Sequence, residues 1–311
     1  TTGENGVRIA GTESNTAHWE TTLQSLRGQT AINVLVPAVG QNATINDDTL
    51  YGIFVKFAEH IEYMNQDNEY IVAIFGEDAT RDGAITSSAA SQTTLATHAQ
   101  QLGQRLHPER HVLVSPAAFS VPNPITGRNT LMGGQYVAAK IAGMLGRYPV
   151  QASMTRRTVP AVSDVSVYRN ETEKNSDAAS GLLVVENKNG VVRVRHAITT
   201  AVGSDTDREL NAMRSKFYMI ESIKNTLDTN ALGKIIADSR APFIISAMVS
   251  GTLEFLRNTG AVAAYSNVDV SPNPNSPTAM VVRFNYSLPY AINNIEVALS
   301  LESTTGTVST V

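Results

Sequence analysis

The sequence contains no cysteine, which excludes disulfide frameworks, thiolate metal sites and cysteine nucleophiles. No apolar run reaches the roughly 18 residues that a membrane-spanning helix requires, and no signal-peptide pattern opens the chain. A basic excess is also missing: 24 Lys and Arg stand against 28 Asp and Glu, a formal net charge of -4. General nucleic-acid binders carry the opposite balance, so neither nucleic acid nor a membrane is an expected partner. Internal repeats and long disordered stretches are absent as well. What remains is 42% apolar and 17% charged residues, the make-up of an ordinary globular chain, here long enough at 311 residues for two domains.

Reactive constellations are scarce. The histidines are His18, His60, His98, His107, His111 and His196. His107 and His111 stand four apart, but Pro108 breaks the helix that would align them, and no carboxylate lies at a metal-ligand spacing beside them. Structural roles are expected, with no metal and no other cofactor. Asp78-Ala79-Thr80-Arg81-Asp82-Gly83 resembles a calcium loop only faintly, since Ala89 stands where the bidentate Glu belongs, and a solvated turn is the better reading. Gly133-Gly134 precedes a helical pattern and so offers backbone N–H groups to a phosphate. No Gly-Lys-Ser/Thr follows, so close packing is the expected role. There is no Gly-x-Ser-x-Gly elbow, and no serine comes with a histidine and an acid that the sequence pairs. The chain does not read as an enzyme.

The first half alternates short β-branched runs with helical stretches. Ile32-Asn33-Val34-Leu35-Val36-Pro37, Tyr70 to Phe75 and Arg110 to Val114 read as buried strands. Asp47 and Asp48 precede an amphipathic helix carrying Leu50, Ile53, Phe54, Phe57 and Ile61. Further helices are predicted over 88–106 and 134–145, and residues 121–130 and 149–180 read as irregular connections. Strands alternating with helices of this length predict a mostly parallel sheet covered on both faces.

After about residue 200 the pattern changes to α+β. Just before it, Leu182 to Glu186 and Val191 to Arg195 flank Asn187-Lys188-Asn189-Gly190, a strong hairpin signal because Asn and Gly tolerate positive φ. A helix is predicted over 207–228, with Leu210, Met213, Phe217, Ile220, Ile223 and Leu227 on one face. Another is predicted over 242–258, with Pro242 in its first turn and Gly260 beyond its end. Three β runs close the chain, over 261–270, 280–286 and 292–301. Basic residues gather at Arg156-Arg157 and at Arg193, Arg195 and His196. Arg193 and Arg195 project from one strand face, either solvated or turned toward an acidic partner surface.

These pieces, in this order, resemble the tail sheath proteins of contractile phages and related injection machines. Gly11-Thr12 leads into a helix with Trp19, Leu23 and Leu26, then the Ile32 to Pro37 strand. Gly134 to Gly143 is similar to the family's alanine-glycine helix, followed by the extended Thr158-Val159-Pro160-Ala161-Val162. Gly181 to Val185, Gly190 to Arg195 and Ile198-Thr199-Thr200 resemble its hairpin and threonine turn. Leu232-Gly233-Lys234 and Asp269-Val270-Ser271-Pro272 complete the series.

The resemblance implies a subtilisin-like α/β domain over 1–200 that lacks a protease triad, a C-terminal α+β sheath domain over 201–302 and a flexible tail over 303–311. It implies a structural subunit that polymerises as helical six-fold rings around a tail tube and contracts to drive that tube through the host envelope during genome delivery. Partners would then be further copies of the chain, the tail tube, the baseplate and the tail terminator. The place of work would be the virion tail, after assembly in the host cytoplasm. Ile292, Ile295, Val297, Leu299 and Leu301 are the expected strand-sharing residues, and Lys234, Arg240 and Arg257 the expected basic residues facing the tube.

The chain departs from the family pattern in having little before its first strand, and it opens on Thr1. A trimmed, soluble, non-assembling core without its N-terminal arm is therefore expected. Two rivals stand beside this reading: an α/β hydrolase-like enzyme, and a small-molecule or carbohydrate-binding module.

Overall fold

The computed structural model describes residues 16–27, 29, 32–37, 41–42, 48–66, 70–78, 111–123, 125–166, 168–201, 205–276 and 278–290. The predicted helix over 88–106, the faint calcium loop beyond Asp78 and the β run over 292–301 lie outside these residues.

The architecture is mixed α/β around one mostly parallel sheet. Its strands are β1 (Val34–Leu35), β2 (Gln41–Asn42), β3 (Val72–Asp78), β4 (Val112–Ser115), β8 (Leu182–Lys188) and β9 (Val191–His196). They run in the order β1-β3-β4-β8-β9, with β2 also paired to β3. All pairs are parallel except the β8–β9 hairpin. Alternate side chains of the central strands enter separate cores, as the pleat requires. Ala73, Phe75, Leu113 and Leu182 face α1 (Thr16–Ser25) and α2 (Asp48–Gln66), meeting Trp19, Leu23, Phe54, Phe57 and Ile61. Val72, Ile74, Val112, Val114, Leu183 and Val185 face the other way, onto Val137, Ala138, Ile141 and Leu145 of α3 (Gly134–Arg147). This double burial is why these strands read as unbroken apolar runs.

Gly133-Gly134 serves packing. A Cβ built on Gly76 of β3 would lie 2.2 Å from the Gly134 carbonyl carbon, so strand and helix backbones touch where α3 begins. The Asn189-Gly190 turn also takes its expected form, with φ of 55° and 80° and Lys188 paired to Val191.

Two predicted loops carry structure. Residues 121–130 include parts of β5 (Ala118–Pro122) and β6 (Asn129–Gly133), which pair antiparallel. Residues 149–180 include β7 (Asp164–Val165), on the other edge of β5, and α4 (Glu171–Ala179), held by an Asn170–Glu173 capping box. The 123–128 turn closes a local β5–β6 hairpin, whereas the pairing of β7 with β5 is long-range and outweighs local propensity.

The helix predicted from residue 207 is broken. α5 (Asp205–Arg208) stops at Glu209, whose extended backbone bridges Ile198, and α6 (Leu210–Asn230) begins after it. Leu210, Met213 and Phe217 of α6 enter the sheet core, while Met219 and Ile223 enter a third core with α7 (Ala241–Asn258). β10 (Ala264–Pro272) and β11 (Met280–Ser287) form an antiparallel hairpin that covers this third core with Tyr265, Val268, Val270, Met280, Val282 and Phe284.

Candidate assembly interface

The sheet region neutralises its buried carboxylate on β8 from within the chain. Glu186 on β8 is 2% exposed. Its Oε1 accepts from Arg193 Nε (3.2 Å), Arg193 Nη2 (3.1 Å) and Arg156 Nη1 (3.2 Å), and its Oε2 from Lys174 Nζ and Arg195 Nη1 (both 3.2 Å). Burial works to raise its pKa, but the bonds from Arg193, Lys174 and Arg195 prevail and hold it below the usual carboxylate range. Glu171 is pushed down to about 2 by hydrogen bonds from Arg195 and Lys174. The Arg193–Arg195 face is thus partly solvated and already paired, its acidic partner being Glu186 of the same chain.

No hydrolase triad forms around Ser115 among the described residues. Ser115 Oγ donates directly to Asp177 Oδ2 (3.3 Å), with no histidine between them. Asp177 is fully buried and gripped by Arg169 at 2.8 Å. The cleft beside Glu186 has a volume of about 40 Å³, room for water but not for a sugar or peptide. Among the described residues no group of three His, Asp or Glu is placed to hold a metal.

The C-terminal region is different. Leu232, Ile236, Phe243 and Phe255 are 66%, 82%, 77% and 58% exposed. α7 buries Ala241, Ile245, Val249, Leu253 and Leu256 on one side. Its opposite side carries Phe243, Ile244, Ala247, Gly251 and Phe255, all exposed and nearly all spaced by four. A helix that is apolar on both sides is normally covered on both sides. β10 and β11 form a two-stranded sheet among the described residues, so each presents an open outer edge. A lone hairpin is marginal, and this one rests on α7 for its stability.

No family model matches the chain. Against curated proteins, it is 25% identical over 293 residues, 94% of its length, to the tail sheath protein of Mycobacterium phage Bxz1. The chain is a homologue of phage tail sheath proteins. It spans about half (47%) of that curated relative. The solved sheath tail protein Lin1278 from Listeria innocua superposes with a TM-score of 0.66 at 15% identity, covering 89% of this chain and 57% of that one. The contracted helical sheath of the anti-feeding prophage also reaches 0.66, at 12% identity, covering 94% and 76%. These two likenesses establish a shared fold. The family to which the homology points is structural and non-enzymatic, in line with the missing catalytic constellation in the sequence.

In this sheath homologue the three basic residues singled out from sequence lie at the C-terminal module. Lys234 Nζ donates to the Thr229 carbonyl oxygen. Arg257 pairs with Glu254 at 2.6 Å, and Glu254 also accepts from the Tyr265 hydroxyl at 3.2 Å. Arg240, just before α7, is exposed and has no ion-pair partner among the described residues. Ile292, Ile295, Val297, Leu299 and Leu301 lie outside the described residues. Sequence reasoning missed two features that it had the means to find. The hairpin register set by Asn189-Gly190 pairs Glu186 with Arg193, and the four-residue series from Phe243 to Phe255 marks a second apolar face of α7.

Proposed function

We propose that this chain is a structural subunit of a contractile tail sheath, polymerising in helical six-fold rings around a tail tube and shortening to drive the tube through a host envelope during genome delivery. The homology of 94% of this chain with about half of a phage tail sheath protein carries the reading. The unfinished C-terminal surface supports it, because a polymer subunit needs faces that its own fold leaves open. Residues 1–200 form the subtilisin-like α/β part and 201–302 the sheath module. Ile292, Ile295, Val297, Leu299 and Leu301 form a strand shared with a neighbouring copy, since main-chain pairing tolerates hinge motion better than side-chain contacts do. Lys234, Arg240 and Arg257 face the tube, with Arg240 the best placed because its charge is unspent. Baseplate and tail terminator cap the polymer ends in the virion tail, after assembly in the host cytoplasm.

The work comes from a free-energy gap between extended and contracted lattices, summed over many subunits and held back by a kinetic barrier. No turnover is needed. Electron microscopy of the full-length parent protein tests this, the expected result being hollow tubes with helical striations. A parent chain that stays monomeric at high concentration would overturn it. Labelling of the folded chain by an active-site serine probe would instead favour a hydrolase. A ligand-induced rise in Tm would favour a small-molecule or carbohydrate binder.

A further inference from the structure

We infer that the outer face of α7 is a self-association surface, on which two copies of this chain pair through antiparallel α7 helices into a closed two-fold dimer. The inference goes beyond the sheath reading and does not rest on it. Phe243, Ala247, Gly251 and Phe255 follow one another at intervals of four in the order large, small, small, large. That order is symmetric about Val249, so a second α7 crossing antiparallel meets the same series. The partner's Phe255 then faces Phe243, and the partner's Gly251 faces Ala247. Ridges of residues four apart interdigitate at a crossing angle of about -50°, and small residues at the crossing point let the two backbones approach.

The chain's own packing does not call for glycine at residue 251. A Cβ there would meet nothing within 4 Å, and glycine inside a helix costs about 1 kcal/mol relative to alanine. Close approach of a second helix accounts for it. Charge fits as well. Exposed Arg240 lies one turn beyond Ile244, and Ile244 faces the partner's Glu254, so each end of the crossing sets an unspent cation near a carboxylate that is 39% exposed and otherwise shared between Arg257 and Tyr265. Phe243, Ile244 and Phe255 offer roughly 350 Å² per copy. With the intervening helix surface the pair buries roughly 1,000 Å², the lower end of specific interfaces, so a weak, reversible dimer is expected. A two-fold contact consumes the face on both copies and cannot propagate. The dimer therefore keeps the apolar face of both copies out of water.

Sedimentation velocity on the 311-residue chain, from about 1 to 100 µM, tests this. The expected result is a monomer–dimer equilibrium whose Kd rises at least tenfold in Phe243→Glu, in Phe255→Glu, and in Gly251→Leu, which keeps the face apolar but blocks the approach. Circular dichroism of each variant checks that it is folded. Because the chain has no cysteine, mixing Ala247→Cys with Gly251→Cys under mild oxidation reads the register, and a disulfide joining one copy of each variant is expected. A monomer throughout the range overturns the inference. So does a dimer indifferent to the three folded variants, rings or tubes in place of a dimer, or disulfides that join only like variants.

Discussion

The sheet region and the C-terminal module are built from the same kinds of residue and end in opposite conditions. In the first, Phe75, Phe119 and Phe54 are at most 1% exposed, and the one deeply buried carboxylate on β8 is met by four cations. In the second, Phe243 and Phe255 stand largely in water and the hairpin edges have no further strand among the described residues. A closed region of this kind contributes stability, whereas an open one contributes contacts. In the sheath proposed above, the open module is where contacts between copies would form.

The largest expected effect comes from swapping equivalent residues across this divide. Phe75→Ala should lower unfolding stability by about 3–5 kcal/mol in urea titration, while Phe243→Ser should change it by less than about 0.5 kcal/mol. Equal losses at the two sites would erase the comparison.

Next comes Glu186→Gln, expected to cost about 2–3 kcal/mol, below the range for fully buried pairs because Arg156 and Arg193 retain water. The same cluster sets an acid limit. Glu171, about 2 when folded and 4.5 ordinarily, binds more protons unfolded between those values. Its stabilisation is therefore present above 4.5 and lost as pH falls toward 2. Thermal melts across that window should show the loss, and Glu171→Gln should flatten it.

His60 gives a smaller effect. It is 3% exposed on α2, neither ring nitrogen has a hydrogen-bond partner among the described residues, and burial, then Arg27, lowers its pKa from 6.5. The unfolded chain takes up the proton first, so stability should decline as pH falls through 6.5, and His60→Leu should remove that slope. The smallest expected change is one of rate alone. Backbone amides of β10 and β11 should exchange with deuterium faster than those of β3 and β4, and equal protection would show that the hairpin is as closed as the sheet.

The contrast also explains what the sequence made legible. β3, β4, β8 and the β8–β9 turn were readable because strands buried on both faces are apolar without interruption, and because Asn189-Gly190 leaves little choice of turn. The β5–β6–β7 sheet was not readable. Pro122, Asn123 and Gly127 signal a turn strongly, but the five-residue flanks are short and end on Pro122 and Gly133, and β7 joins β5 from more than 40 residues away. The break at Glu209 was hidden for the same reason, being set by Ile198 and by His196, whose Nε2 lies 2.7 Å from Glu209 Oε1. Of the candidate interface, the basic residues were legible as charges but not as spent or unspent ones, since that depends on Thr229 and Glu254 in the fold.

α6 gives Leu210, Met213 and Phe217 to one core and Met219 and Ile223 to another, and Phe217 stacks on Tyr70 at 4.7 Å. A single helix nailed into both cores behaves as a shaft without a joint. Torque applied to the hairpin end reaches the sheet undiminished unless those five anchors are torn out. In the sheath proposed above, a large swing would then fall to the seams between neighbouring copies, with each copy turning as one stiff piece.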